Sequence, residues 1–217
     1  PWARPYKGSG ILDRVSTSTT TTPSDTAVDH RPDATADLTA AMTERVLVLD
    51  GAMGTMIQRE GLSEEDFRGE RFADWHMDLK GNNDLLSLTR PDIIAGIHRE
   101  YLAAGADLIE TNTFSANRIS QSEYGCEDFA GKMAYEGARL AREVADEYMS
   151  GTDDSGERRQ ILVAGSIGPT SKSLSLSPDV SDPGFRPYSF DQMREAYREQ
   201  AEALISGGAD ILLIETC

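Results

Sequence analysis

One stretch of this chain is written twice. Ala103-Ala-Gly-Ala-Asp-Leu-Ile-Glu-Thr111 and Ser206-Gly-Gly-Ala-Asp-Ile-Leu-Leu-Ile-Glu-Thr216 share a helix exit, a glycine turn, an aspartate and an apolar run that ends in Glu-Thr. Short apolar runs without polar alternation read as strands buried on both faces, as in a parallel sheet. Two more such runs, Val46–Leu49 and Ile161-Leu-Val-Ala-Gly165, bring the strands to four. Helical patterns separate them. Pro91 suits a first helical turn, Ile93, Ile94, Ile97, Tyr101 and Leu102 fall on one face behind it, and Gly105 closes the helix. An amphipathic stretch covers Phe129–Met149, and another helix runs from Phe190 to about Ser206. Strand–helix alternation predicts parallel strands with covering helices. Repeated units of similar size favour an α/β fold of the (β/α)8 TIM-barrel type over a doubly wound sheet. Only about the first four βα units of such a barrel are present here.

The parts outside this alternation differ in kind. Residues 1–37 read as a tail. Ser16-Thr-Ser-Thr-Thr-Thr-Thr-Pro23 is low-complexity, and such a segment buries too little surface to offset its ordering entropy. A short lead-in helix over Leu38–Arg45, capped by Thr39 or Asp37, opens the folded unit, residues 38–217. The connection from Gln58 to Arg90 far exceeds the two to six residues usual for a βα loop. It is either a lid or binding element, or an insertion that packs on the barrel. A polar loop at Ser150–Arg158 and a long connection at Pro169–Pro187 complete the chain.

The formal net charge is −16, of which residues 1–45 carry −1 and the remainder −15. So acidic a domain disfavours nucleic acid and anionic membranes as partners. No run approaches the ~18 apolar residues of a membrane span. Two cysteines, Cys126 and Cys217, make no disulfide framework, and nothing resembles a secretory signal, so the reading is cytoplasmic. His30, His76 and His98 are scattered and form no metal-ligand cluster.

The chemistry gathers at the strand ends, where such barrels hold their active sites. Val46–Leu49 runs into Asp50-Gly-Ala-Met-Gly-Thr55, one carboxylate followed by a two-glycine turn whose N–H groups can converge on an anion. That offers an ammonium one partner and a carboxylate several, an amino-acid handle; the alternative is a turn that only joins strand to helix. The other strands finish in Glu110-Thr-Asn-Thr113, Ser166-Ile-Gly-Pro-Thr170 and Glu215-Thr216. Three of the four ends carry a carboxylate. With no histidine beside them, an ammonium clamp ranks above a metal site. Strand alternation leaves open whether Glu110 faces the mouth.

Leu49-Asp-Gly-Ala-Met-Gly-Thr55, Phe67-Arg-Gly-Glu-Arg-Phe-Ala-Asp-Trp75, Lys80-Gly-Asn-Asn-Asp-Leu-Leu86, Gly105-Ala-Asp-Leu-Ile-Glu-Thr-Asn-Thr-Phe114, Gly168-Pro-Thr170 and Ser177-Pro-Asp-Val180 together resemble the homocysteine S-methyltransferases. The long connection Phe67–Leu86 narrows the resemblance to the amino-terminal homocysteine-binding module of cobalamin-dependent methionine synthases, here truncated. The resemblance covers about Arg45 to Cys217. It implies that Asp50 and Glu215 hold the amino group of homocysteine, while the Gly51 backbone and Thr111 receive its carboxylate. It also implies zinc, which makes the thiolate available, and methylcobalamin, whose methyl group the thiolate takes to give methionine. 5-Methyltetrahydrofolate would remethylate cobalamin, and folate, cobalamin and reactivation modules would follow in the same chain. The family's zinc ligands are three cysteines in motifs that neither Cys126 nor Cys217 occupies. They are therefore expected beyond residue 217, with no metal, cobalamin or catalytic residue in this part and no methyl transfer by it alone. Ala52 departs from the glycine common among relatives, a change that a negative φ would tolerate. Two alternatives remain: a shorter homocysteine S-methyltransferase using S-methylmethionine or S-adenosylmethionine, and a non-catalytic binding protein on a degenerate barrel.

Overall fold

The computed structural model describes residues 33–151 and 160–216. Helices α1 (Thr35–Glu44), α2 (Met53–Arg59), α3 (Glu64–Arg68) and α4 (Leu86–Thr89) lead to α5 (Pro91–Ala104). Then follow β1 (Leu108–Glu110), α6 (Arg118–Gln121), α7 (Ala130–Ser150), β2 (Leu162–Ile167), α8 (Phe190–Gly207) and β3 (Ile211–Ile214). The strands form one open parallel sheet in the order β1-β2-β3, with Leu108 opposite Leu162 and Ala164 opposite Ile211. β2 lies in the middle and all six of its residues are buried. The low-complexity tail and most of the Ser150–Arg158 loop lie outside the described residues.

The helices start and stop where local chemistry requires. Pro91 occupies the first turn of α5, and Gly105, at φ 109°, closes it by donating to the carbonyls of Tyr101 and Leu102. At the start of α8, Ser189 and Gln192 satisfy each other's backbone N–H groups as a capping box. The buried stripe of α7 is built largely from Ala134, Gly137, Ala138, Ala141 and Ala145, and small residues allow close approach. A methyl group on Gly207 of α8 would stand 2.5 Å from the Tyr135 carbonyl oxygen of α7. α1 begins three residues before the expected Leu38. Its first amide is held by Asp33, which accepts from Thr35 N–H at 2.9 Å, and not by Thr39 or Asp37.

The first expected strand is corrected. Val46–Leu49 makes a single parallel bridge, Leu49 to Leu108, and its valines are exposed, Val46 at 86% and Val48 at 52%. Its carbonyl at Val48 accepts from Asp107 and Leu108 N–H, and Asp50 N–H donates to Leu108. Among the described residues nothing pairs with its other side, so an apolar sequence suited to burial lies at an edge.

The repeated Gly-Ala-Asp has one structural job at both sites. Asp107, just before β1, accepts the Val48 N–H at 2.9 Å and both terminal nitrogens of Arg45 at 2.7 Å. Asp210, just before β3, accepts the Val163 N–H at 2.8 Å and an Arg142 nitrogen at 2.8 Å. Each aspartate thus pins its own strand to the chain segment alongside it.

The connection of residues 58–90 is packed rather than loose. Phe67, Phe72, Leu79, Leu85 and Leu86 enter the main core. Glu64 accepts the N–H groups of Leu79 and Lys80 at 2.8 and 2.7 Å, and Arg68 donates to the carbonyls of Trp75 and Met77. The two readings of this segment therefore combine: it packs on the core and, at Gly81–Asp84, it reaches the site described below.

Candidate active site

The carboxyl end of the sheet opens into a cleft of about 530 Å³. Its walls come from Met53 and Gly54, from Gly81–Asp84, from Glu110–Ser115, from the turn carrying Glu123 and Tyr124, and from Ser166, the Pro169–Ser171 loop and Glu215. Among the described residues, four carboxylates and no Lys or Arg line it.

Of the residues singled out in the sequence, Thr111 and Glu215 stand on the cleft wall. Glu110 faces the cleft as well, which resolves the strand alternation in its favour. Asp50 sits half-buried behind it and accepts the Glu110 N–H at 2.8 Å. Burial pushes the Asp50 carboxyl up to about 7, and the charges of Glu110 and Glu215 add to the rise. Glu110 is likewise pushed up to about 7 by burial and by Glu215. Three acids therefore share one field at this end of the cleft. The N–H of Gly51 has no hydrogen-bond partner among the described residues.

Thr111 is more committed than its sequence suggests. Its backbone N–H donates to the Ala164 carbonyl at 2.9 Å, and its hydroxyl accepts the Ser166 N–H at 3.0 Å. The Thr113 hydroxyl donates to the Ser166 carbonyl at 2.8 Å, so the proton between the two threonines belongs to Thr111. With that donor spent inside the network, the Thr111 hydroxyl has none left for a carboxylate. The Ser166 hydroxyl in turn donates to Glu215. Gln200 of α8, fully buried, donates to the Thr113 carbonyl at 2.7 Å and steadies the same network from beneath. The sequence placed Ser166 at a strand end and Asp84 within the Lys80–Leu86 motif without giving either a role, and it did not single out Gln200. Ser166 carried a signal in its place at the end of a strand and Asp84 in its motif, whereas Gln200 sits in a helix and carried none.

Ala52 does not meet the condition, a negative φ, under which its methyl group would be tolerated without strain. It stands at φ 51°, in the left-handed region that costs an L-residue roughly 1–2 kcal/mol. Among the described residues the other non-glycine residue in that region is Thr216, at φ 61°. Both follow a strand-end carboxylate, Asp50 or Glu215, within two positions.

Among the described residues, no group of three or more His, Cys, Asp or Glu is arranged to hold a metal ion. Cys126 is buried, its thiol pushed up to about 11 by desolvation, and Cys217 lies outside the described residues. His98 is buried in α5.

A family model for homocysteine S-methyltransferases matches residues 47–217. The chain belongs to that family. Among solved structures, the homocysteine methyltransferase MmuM from Escherichia coli is similar in its metallated form, with 25% identity and a TM-score of 0.59 over 82% of this chain and 57% of that one. Its oxidised form gives 24% identity and a TM-score of 0.58 over 81% and 55%. The chain spans a little over half the length of these structures, and at such identity the likeness speaks for the fold.

Membership in this family corrects the narrower resemblance. The matches are to homocysteine S-methyltransferases, and the assignment to a truncated cobalamin-dependent methionine synthase is not upheld. With it go methylcobalamin as cofactor and the 5-methyltetrahydrofolate, cobalamin and reactivation modules as partners. The zinc expected with it finds no ligand set among the described residues. The physical reason lies in Phe67–Leu86, which carried the narrowing. Its apolar residues are demanded by the core they fill, whatever the methyl donor. Among the described residues no helix is long and apolar enough to cross a membrane.

Proposed function

We propose that this chain binds homocysteine at the carboxyl ends of its strands and takes part in its S-methylation to methionine, with S-methylmethionine or S-adenosylmethionine as methyl donor. The observation that carries this reading is the convergence of Asp50, Glu110 and Glu215 at a cleft whose described walls hold no Lys or Arg. Asp50 and Glu215 take the ammonium group of homocysteine, and Ser166 orients Glu215 by its hydrogen bond. The free Gly51 N–H receives the carboxylate, and Thr111 shapes the wall through the Ser166–Thr113 network. The homocysteine sulfur, as thiolate, attacks the donor's methyl carbon. A new carbon–sulfur bond forms as the donor's methyl–sulfur bond breaks, and the bonding pair stays on the donor sulfur, which leaves as a neutral thioether. An acidic cleft favours a positively charged donor, since the positive field of a sulfonium is offset by the wall. No step is assigned to a metal.

The same reading takes the open sheet as the first four units of a (β/α)8 barrel, formed by residues 38–217, with residues 1–37 outside it. The strand-end location of the cleft supports this, because barrels of that kind place their chemistry there. Two scattered cysteines support a reducing, cytoplasmic setting.

Calorimetric titration of the full chain with L-homocysteine at pH 8 tests the assignment. Asp50→Asn and Glu215→Gln should each weaken binding at least tenfold. Undiminished affinity in both variants would remove the ammonium clamp and the function built on it.

A further inference from the structure

The cleft is larger than one amino acid needs. Homocysteine has eight heavy atoms; even at the ~30 Å³ that liquid water gives each molecule, it fills about 240 Å³, less than half of the cleft. The remaining wall holds a second acidic feature that the clamp does not use. Asp84 is only 7% exposed, yet it lines the cleft. The packed connection delivers it on a short turn, Asn83–Leu85, anchored by the buried Leu85 and Leu86. One carboxylate oxygen accepts the Ser115 N–H at 2.8 Å. Among the described residues no side-chain cation pairs with it, whereas Glu123 nearby is neutralised by Lys172 at 2.8 Å. A buried carboxylate without a counter-charge needs either a proton or a cationic ligand.

Asp84 is also separate from the clamp. The charge of Glu215 bears on Glu110 and Asp50, but burial is what raises Asp84, to about 6. Asp84 is thus a second acidic feature of the same cleft wall, raised by its own burial. A divalent metal at Asp84 is disfavoured because no second and third ligand of the usual kind is arranged beside it among the described residues. An ammonium needs only one carboxylate and neutral acceptors, and the Tyr124 and Ser115 side chains belong to the same wall.

We infer that Asp84 anchors a second subsite of this cleft, which takes the primary ammonium head of an amino-acid-type sulfonium donor while homocysteine occupies the first. This rests on the proposed function, and it makes the donor's amino group, not only its sulfonium, a recognition element. Donor and acceptor then hold their ammonium heads on separate carboxylates of one cleft.

The test uses the full chain with the first subsite saturated by L-methionine, and titrates S-methylmethionine and its desamino analogue 4-(dimethylsulfonio)butanoate. The wild type should bind S-methylmethionine at least tenfold more tightly than the analogue. Asp84→Asn should abolish that preference and leave L-homocysteine affinity unchanged. If Asp84→Asn binds S-methylmethionine as the wild type does, Asp84 is a buried structural acid and the inference is overturned. If the variant fails to fold, the wild type decides alone, since equal affinity for the two sulfonium compounds overturns the subsite. Loss of L-homocysteine binding in the wild type itself would instead remove the functional reading beneath it.

Discussion

The Asp50 carboxylate accepts the backbone N–H of Glu110 at 2.8 Å, across the one bridge that joins the Val46–Leu49 segment to β1. The bond brings two acids under a common field; burial first, and then neighbouring carboxylate charge, holds both near a pKa of about 7, against the lowering that the bond itself exerts on Asp50. Between their ordinary values, 3.8 and 4.5, and about 7, the folded chain keeps protons that the unfolded chain has released. These groups therefore make folding less favourable as pH rises through that window. For a ligand ammonium the sense is opposite, because the full negative charge exists only above it. L-Homocysteine affinity should strengthen from pH 6 to pH 8, with a midpoint near 7. Glu110→Gln should move that midpoint down, because it removes one of the charges facing Asp50. Calorimetry across the range checks both, and a flat profile would count against the clamp.

His98 adds an acid-side effect of the other sign. Its ring is fully buried, both nitrogens lack hydrogen-bond partners among the described residues, and burial holds its pKa down at about 4. Below 6.5 the unfolded histidine gains a proton that the folded one refuses until about 4. The stability it permits is whole above 6.5 and is lost as pH falls through that window, by about 3 kcal/mol at most. Thermal unfolding of His98→Leu between pH 7 and 4.5 should show a shallower acid decline than the wild type. Parallel declines would mean the ring finds a partner or water.

Ala52 stores strain that a glycine would release. Ala52→Gly should stabilise the fold by about 1 kcal/mol, even though glycine ordinarily weakens ordered positions. A urea titration reads this directly. A destabilised variant would show that the methyl group at Ala52 packs against something worth more than the strain.

The two strand-start aspartates differ in how their arginines are housed. The Arg142 side chain is 8% exposed and that of Arg45 53%, while both aspartate side chains are 4% exposed. Arg142→Met leaves a buried charge behind and should cost about 3 kcal/mol or more. Arg45→Met, at the surface, should cost about 1 kcal/mol or less. Comparable losses in denaturant would show that Arg45 is better shielded than its exposure suggests.

How far the sequence could be read follows from what kind of force set each feature. α5 and α8 were legible almost to the residue, because Pro91, Gly105 and Phe190 mark termini by local backbone chemistry. β2 and β3 were legible because their apolar runs have few other uses. Val46–Leu49 has the same kind of sequence but a single bridge, since a strand is made by its neighbours and not by its own residues. At the site, Asp50, Glu110 and Glu215 could be found because strand ends converge in such folds. The spent hydroxyl of Thr111 and the Ser166 bond to Glu215 depend on distances between strands, which no spacing reveals. Asp84 was hidden for another reason: the seven residues Lys80–Leu86 could be recognised as a motif, but only the packing of Phe67, Phe72 and Leu79 shows where that motif is carried.

Asp107 and Asp210 fix strand position at the end of the sheet remote from the cleft. The alignment of each unit is thereby encoded apart from its reactivity. A unit cut before its glycine turn and joined to another carrying the same Gly-Ala-Asp would bring its own alignment signal with it, whatever residues it offers at the mouth. For anyone recombining such units, the aspartate is the part to keep and the strand-end residues are the part to vary.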